Sequence, residues 1–323
     1  MADGKRRAII EGLVLVVIST LLARVGVAQL IFIAPLLLFA VSHGRKNAIL
    51  LIVLEFFLLT AINLAMSEGL PSTKEEWALF LIVLYIPLSL SAAGITWLVT
   101  SGMGLMKRLF VSLLLPAIFL GAISAFIVTD RALSSLLFEE FRNAFAVMLG
   151  PVFGELFPSI DMDVLSYIVI VGILSFLMPV LFCGVCASAF IYETAKHSRE
   201  SEWEEAVMRF SFPSDAVWGF IISWALVLLL RFVSVPVAVP VIVLNAAGVW
   251  TVIYAIQGFS IVYARVRKHS SNVRSMTVLI VLLLLGTVVP GINFIVLFGL
   301  PLLGVLGNFF DLKKLGVENE DHS

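Results

Sequence analysis

The sequence contains ten apolar segments, and most of them are long enough to cross the hydrocarbon core of a bilayer as helices. They cover residues 9–23, 25–42, 48–66, 77–100, 109–128, 164–192, 216–235, 236–264, 276–290 and 292–310. A spanning helix needs about 20 apolar residues, because the core is about 30 Å thick. Backbone groups in hydrocarbon must all be paired, and the segments lack the alternation of barrel strands. The sequence therefore predicts an all-α, polytopic transmembrane helical bundle of about ten spans over residues 1–323.

Composition supports a membrane protein and excludes several other classes. Hydrophobic residues make up 61% of the chain and charged residues 13%, whereas soluble domains are about half apolar and about a quarter charged. The formal net charge is −1, so the chain lacks the basic excess of a nucleic-acid-binding domain. Two cysteines in 323 residues exclude a disulfide scaffold. We therefore expect the lipid bilayer as the environment and no nucleic acid as a partner.

The sequence also gives no sign of a metal centre or an enzyme. All four histidines lie in predicted loops or in the C-terminal tail, which disfavours a histidine metal site inside the membrane. There is no HExxH, GxSxG or Walker A motif. Cys183 and Cys186 are expected to be small packing residues, because apolar burial blunts thiol reactivity. We expect no cofactor and no catalytic activity, and any use of ATP would need a partner protein.

The stretch LLARVGVAQL, residues 21–30, determines the sidedness of every later loop. A single helix over residues 9–42 would be about 51 Å long, which exceeds a core of about 30 Å. If the chain turns near Arg24 with its N-terminus inside, 16 of the 21 Lys and Arg residues fall on cytoplasmic loops. A single pass would move 13 of those 16 outside. Because basic residues are held back from translocation, we expect both termini in the cytoplasm and a location in the cell membrane.

A cleaved signal peptide is an alternative for the first segment. The basic start, the apolar run and the small residues before Gln29 resemble a cleavage pattern. Glu11 and Arg24 interrupt the run, so we favour a retained span. Cleavage would leave the later sidedness unchanged.

Residues 129–150 are predicted to form an amphipathic helix on the outer surface. Leu133, Leu137 and Phe141 recur at helical spacing and form an apolar face. Thr129 could cap the start of this helix. The face could rest on lipid or on the bundle, or the helix could dock a partner or act in gating.

Residues 198–212 are predicted to form a second amphipathic helix, on the cytoplasmic side. Ser201 and Glu204 have the spacing of a capping box. Trp203 belongs to the apolar face, and Pro213 would end the helix. The same alternatives apply to this helix, namely packing on lipid or on the bundle, docking, and gating.

Glu55 and Arg231 are charged residues that fall inside predicted spans, where charges are rare and usually functional. Glu55 lies in the third span, and Arg231 lies in the seventh. Glu55 could be a neutral carboxyl hydrogen-bonded between helices, or it could bind a ligand or a proton. Arg231 could anchor its helix at the interface, stack on Trp224, or attract an anionic group.

The eighth span combines an amide with two amphipathic aromatic residues. Trp250, Tyr254 and Gln257 follow one another at i, i+4 and i+7, so they share a helix face. Such a face could hold a small polar ligand. It could equally hold a neighbouring helix in place through hydrogen bonds.

The last third of the chain resembles a known family. The stretches YAIQGFSIVYARVRK and PGINFIVLFGLPLLGVLGNFFDLKK carry a Gln-Gly pair, a glycine-rich final span and an aspartate before a basic doublet. These residues are Gln257, Gly258, Gly304, Gly307, Asp311, Lys313 and Lys314. This pattern, strongest over residues 210–315, resembles the YybS-like family of bacterial membrane proteins. That family has been grouped with the substrate-binding S components of energy-coupling-factor transporters, which implies a solute-binding bundle served by a separate membrane coupler and ATPases.

The first hypothesis is a carrier that binds a small solute at mid-membrane. In it, Glu55, Arg231, Trp250, Tyr254 and Gln257 form the candidate binding site, with Arg231 attracting an anionic group and Gln257 donating and accepting hydrogen bonds. The alternative is a non-transporting membrane scaffold whose surface helices dock a partner protein. An intramembrane enzyme is the least favoured class, because the sequence offers no nucleophile–base pair.

Overall fold

A computed structural model describes residues 2–67, 69–156, 162–197, 207–208, 210–269 and 292–310. Every regular element in these residues is a helix, and they contain no strand. The prediction of an all-α fold is therefore confirmed for the described residues. The chain divides into two compact units, Met1–Lys196 and His197–Ser323. Whether the two units form one bundle, as the sequence predicts, stays a prediction.

The first unit contains seven described α-helices and one 3₁₀ helix. They are α1 (Ala2–Leu22), the 3₁₀ helix (Gly26–Ile31), α2 (Ala34–His43), α3 (Arg45–Met66), α4 (Lys74–Val99), α5 (Leu105–Thr129), α6 (Arg131–Leu156) and α7 (Met162–Lys196). The start of α4 is a side-chain cap, in which Thr73 Oγ1 accepts a hydrogen bond from Glu76 N at 3.2 Å. Glu76 Oε2 in turn accepts from Ser72 N at 2.6 Å. The first bond satisfies a backbone N–H group that a helix start would leave unpaired, and the second ties the residue before the cap to the first turn.

The chain reverses direction near Arg24. Ser19 Oγ near the end of α1 donates a hydrogen bond to Phe32 O. At the opposite ends of the same two segments, Glu11 Oε2 of α1 lies 3.7 Å from His43 Nε2 of α2. Contacts between 11 and 43 and between 19 and 32 require antiparallel segments. Residues 9–42 therefore make a turn and do not form a single pass.

The loops after α2 and α4 lie at one end of the first unit. Gly44 links α2 to α3 with a φ of +83°, which a residue with a side chain rarely adopts. Arg45, the next residue, donates a hydrogen bond through Nη1 to Ser101 Oγ in the loop after α4. One end of the unit therefore holds the turn at Gly44 and the turn at residues 100–104.

The described part of the second unit contains three α-helices, which we number α8 (Val217–Leu229), α9 (Ala238–His269) and α10 (Ile292–Phe309). Helices α9 and α10 pack at very short range. A Cβ atom built on Gly258 would lie 2.0 Å from Leu300 O, and one on Gly304 would lie 2.0 Å from Tyr254 O. These two glycines therefore let the backbones of the two helices touch.

The structure corrects the expected seventh span at its end. The sequence predicts a span over 216–235 that includes Arg231, but α8 ends at Leu229 and Arg231 lies in the turn that follows. Pro236 disfavours helix in the residue before it. The β-branched residues around it also have low helix propensity. Arg231 is therefore an exposed turn residue and not a charge within a helix.

Six stretches of the described chain are long and apolar enough to cross a membrane. They are Gly26–His43, Arg45–Met66, Lys74–Val99, Leu105–Phe126, Val164–Lys196 and Ala238–Lys268. Two shorter apolar helices, Ser214–Leu229 and Val296–Phe309, correspond to two further predicted spans. Helix α1 covers the predicted first span but is not among the six candidates. The predicted span at 276–290 lies outside the described residues.

The predicted helix at 129–150 is present as α6, and its first half rests on protein. Leu133 and Leu137 pack with Ala78 of α4 in one buried cluster. The N-cap is Asp130, not Thr129, because Asp130 Oδ1 accepts from the backbone N–H of Ala132 and Leu133 at 3.1 and 3.2 Å. In the predicted helix at 198–212, residues 198–206 and 209 lie outside the described residues, and these include Ser201, Trp203 and Glu204.

Candidate functional site

Glu55 is a fully buried carboxyl group halfway along α3. Its side chain has 0% exposure. It lies ten residues after Arg45, the first residue of this helix, which is about 15 Å along the axis. That distance is about half the thickness of a hydrocarbon core of about 30 Å. An ionisable group at such a depth is a functional-site candidate in its own right.

Helix α1 supplies the hydrogen-bond partner of Glu55. Thr20 Oγ1 lies 3.0 Å from Glu55 Oε1 and 3.3 Å from Oε2. The same hydroxyl lies 2.9 Å from Val16 O, one turn earlier in α1. Among the described residues, Glu55 forms no ion pair. The site is thus a carboxyl and a hydroxyl held between two helices, without a neutralising cation.

A second polar cluster joins three helices of the first unit and was not predicted from the sequence. Arg108 Nη1 in the first turn of α5 lies 2.8 Å from Glu193 Oε1 in the last turn of α7. Trp97 Nε1 of α4 donates to the same carboxylate oxygen at 3.2 Å. The guanidinium also donates to Trp97 O at 3.0 Å and lies 3.9 Å from the Trp97 ring centroid. Lys196 Nζ is 3.7 Å from the second carboxylate oxygen.

No local pattern identifies that cluster. Arg108 stands beside Lys107 at the start of an apolar run, and such a basic pair is typical of an ordinary cytoplasmic loop. Its carboxylate partner is 85 residues further along the chain. Pairing across that separation depends on how α4, α5 and α7 pack together.

In the second unit, the polar atoms of Gln257 are bound by protein groups. Its Oε1 accepts from Phe212 N at 2.9 Å. Its Nε2 donates to Gly304 O at 2.9 Å and to Asn308 Oδ1 at 2.6 Å. Asn308 Nδ2 lies 3.2 Å from the Tyr254 hydroxyl. These bonds hold α10 against α9, which favours the helix-holding role among the alternatives for Gln257.

Trp250 and Tyr254 are also in contact with protein. The Trp250 indole lies against the backbone of α8, since a Cβ atom on Gly219 would come within 2.3 Å of its ring. Tyr254 is fully buried, and Phe220 packs against it edge-on at 5.4 Å between ring centroids. Both rings therefore take part in packing α8 onto α9.

The five predicted site residues fall in two different units, and whether they form one site stays a prediction. Trp250, Tyr254 and Gln257 lie together on α9 in the second unit. Arg231 is exposed beyond the end of α8 and has no cation–π contact with Trp224 among the described residues. Glu55 belongs to the first unit, where its described polar neighbour is Thr20 of α1.

The described residues contain no group of three or more His, Cys, Asp or Glu side chains that could hold a metal ion. Cys183 and Cys186 are free thiols in α7. Comparison of the chain with known protein families, with curated proteins and with solved structures finds no match. The resemblance to the YybS-like family therefore stays a prediction.

Proposed function

We propose that this chain is a multi-pass protein of the cell membrane that binds and carries a small solute. The observation that supports a carrier is Glu55, a fully buried carboxyl halfway along an apolar helix. Among the described residues, the hydroxyl of Thr20 is its hydrogen-bond partner. Buried ionisable groups at this depth are costly and usually serve transported solutes or ions. Scaffolds that only dock partners have no need for such a group.

The proposed orientation has ten crossings with both termini in the cytoplasm. The turns at Gly44 and at residues 100–104 lie together. Arg45, Lys107 and Lys196 lie at the helix ends on this side. A concentration of basic residues favours the cytoplasmic side. In this orientation the Arg108–Glu193 pair lies at the cytoplasmic ends of α5 and α7.

Glu55 is the proposed polar contact for the solute. Gln257, Trp250 and Tyr254 are assigned a supporting role, because their polar and aromatic groups already hold α8, α9 and α10 together. Arg231, which makes no ion pair among the described residues, would attract an anionic group. A separate coupling ATPase remains an expectation from the family resemblance.

Cysteine accessibility tests the proposed orientation. In a chain with Cys183→Ala and Cys186→Ala, single cysteines are placed at the exposed residues Lys46 and Ser72, at opposite ends of the first unit. An impermeant maleimide applied to intact cells is expected to label Ser72→Cys. It should label Lys46→Cys only after the cells are permeabilised. The reverse pattern would show that the proposed sidedness is inverted.

Ligand-dependent thermal stability tests the carrier function. Purified protein is screened against vitamins, nucleosides and amino acids, and a bound solute is expected to raise the unfolding temperature. Glu55→Gln should weaken binding of that solute by about tenfold, the equivalent of about 1.4 kcal/mol. The control Glu11→Gln, at a partly exposed carboxyl, should leave the affinity unchanged. If no compound stabilises the wild-type protein and a partner protein co-purifies instead, the carrier is excluded in favour of the scaffold.

A further inference from the structure

The Thr20 hydroxyl lies within hydrogen-bond distance of two acceptor groups, the Val16 carbonyl and the Glu55 carboxyl, but has only one hydrogen. Its oxygen is 2.9 Å from Val16 O and 3.0 Å from Glu55 Oε1. A hydroxyl donates one hydrogen bond and can accept others. When Thr20 donates to Val16 O, the contact with Glu55 therefore requires a hydrogen on the carboxyl group. When Glu55 is ionised, Thr20 must turn its hydrogen to the carboxylate, and Val16 O loses that partner.

Charged groups on α1 and its following turn are distant from this site. On α1, Arg6, Arg7 and Glu11 precede Thr20 by at least nine residues, which is about 14 Å or more along the axis. Arg24 follows α1, and its Nη1 lies 3.4 Å from Met66 Sδ. Met66 is eleven residues beyond Glu55, about 16 Å along α3.

The titratable groups of the other helices packed against α3 lie at the ends of those helices or direct their polar atoms away from Glu55. On α2, His43 is at the Gly44 end, beside Glu11. The ionisable groups at the start of α4 are Lys74, Glu75 and Glu76. Tyr85, further along α4, directs its hydroxyl to Pro116 O of α5 at 3.2 Å. On α3 itself, Arg45 and Lys46 are in the first turn.

An ionised carboxylate is costly in an apolar interior unless a cation or several donors stabilise it. The surroundings just described offer Glu55 one hydroxyl donor and no cation within the described residues. A neutral carboxylic acid satisfies the same contacts by donating to Thr20 while Thr20 keeps its bond to Val16 O. The protonated form is therefore the one in which both contacts of the Thr20 oxygen are hydrogen bonds at the same time.

We propose that Glu55 is a proton-binding site in which Thr20 exchanges its hydrogen-bond partner when the proton arrives or leaves. In the loaded state, Glu55 donates to Thr20 and Thr20 donates to Val16 O. In the released state, the proton has returned to water and Thr20 donates to the carboxylate. No other bond forms or breaks. This inference rests on the proposed carrier function and adds that the proton is the ion carried with, or against, the solute.

Reaction with a hydrophobic carbodiimide tests the site directly, without any solute. The reagent partitions into the bilayer and adds to protonated carboxylic acids. In the full chain in native-lipid vesicles, peptide mass mapping is expected to find an adduct on Glu55 at about pH 6 and a smaller yield at about pH 9, as ionisation proceeds. Glu55→Gln should abolish the adduct. Glu11→Gln should leave the yield unchanged.

Two variants of Thr20 separate the proposed exchange from simple packing. Thr20→Val is nearly isosteric and removes the donor that stabilises the carboxylate, so labelling at about pH 9 is expected to rise about fivefold, the effect of one hydrogen bond of about 1 kcal/mol. Thr20→Ser keeps the hydroxyl and should differ from the wild type by less than about twofold. Equal labelling of the two variants would overturn the role of Thr20.

A second measurement detects the protonated carboxyl without a reagent, in case the carbodiimide does not reach Glu55. The infrared difference spectrum between the wild type and Glu55→Gln should contain the carbonyl stretch of a protonated carboxylic acid at about pH 6. Absence of both the adduct and this band would overturn the proton site. A Glu55 adduct in a protein that no compound stabilises and that co-purifies with a partner protein would retain the proton site and exclude the carrier. Solute binding without adduct or band would retain the carrier and exclude the proton site.

Discussion

Replacing Glu193 by alanine is expected to lower the free energy of unfolding by about 3–5 kcal/mol, because it leaves one charge of a buried ion pair without its partner. The side chains of Arg108 and Glu193 are 7% and 4% exposed and lie 2.8 Å apart. Without the carboxylate, the guanidinium keeps its contacts with the backbone oxygen and the ring of Trp97 but loses its ion pair. Unfolding by SDS titration in mixed micelles, compared between the wild type and Glu193→Ala, measures this difference.

The matched control removes the outer cation of the same cluster. Lys196 Nζ is 3.7 Å from Glu193 Oε2, and its side chain is 34% exposed, so Lys196→Ala should cost less than about 1 kcal/mol. The double variant Arg108→Ala with Glu193→Ala should be less destabilised than the sum of the two single variants, since neither charge is then left unpaired. Equal losses for Glu193→Ala and Lys196→Ala would contradict the importance of the buried pair.

Replacing Gly258 by alanine is expected to separate α9 from α10 and to lower the free energy of unfolding by about 3 kcal/mol, at the upper end for overpacked sites. The new Cβ atom would lie 2.0 Å from Leu300 O, and a backbone oxygen inside a helix cannot rotate away. Separation of the helices would also strain the hydrogen bond from Gln257 to Gly304 O. Gly304→Ala should have a similar effect, because its Cβ would meet Tyr254 O at the same distance. SDS titration of the variants measures both losses.

Gly121 in α5 provides the control for these substitutions. A Cβ atom there has nothing within 4 Å, so Gly121→Ala should be neutral or stabilising by up to about 1 kcal/mol through helix propensity. The same chemical change is thus expected to have opposite signs at the two positions. If Gly258→Ala is as stable as Gly121→Ala, the helices do not approach as closely as described.

Several features of the first unit could be predicted from the sequence because their causes are local. The turn near Arg24 follows from the length of residues 9–42 compared with the thickness of a bilayer. The helix at 131–156 follows from the spacing of Leu133 and Leu137, which the structure places on its buried face. The position of Glu55 inside a helix follows from its place within an apolar run. Helical periodicity and span length both depend on consecutive residues, so they can be predicted from the sequence.

The end of α8 shows where the local pattern misled. Residues 216–235 are apolar enough to read as one span, and that reading placed Arg231 inside it. The helix ends at Leu229. The prediction was wrong because hydrophobicity alone does not report the poor helix propensity of the residues near Pro236. The predicted stacking of Arg231 on Trp224 depended on the continued helix, and Trp224 Nε1 instead donates to Thr251 Oγ1 at 3.1 Å.

By itself, the sequence determined the class of protein and the turn near Arg24, because bilayer thickness and helical repeat constrain consecutive residues. Only the tertiary structure decided which polar groups meet. Glu55 and Thr20 are 35 residues apart in the sequence, and Arg108 and Glu193 are 85 apart. Gln257 and Gly304 are 47 residues apart. Pairing at those separations depends on which helices are neighbours and at what height they pack, and no periodic pattern in a single chain encodes that choice.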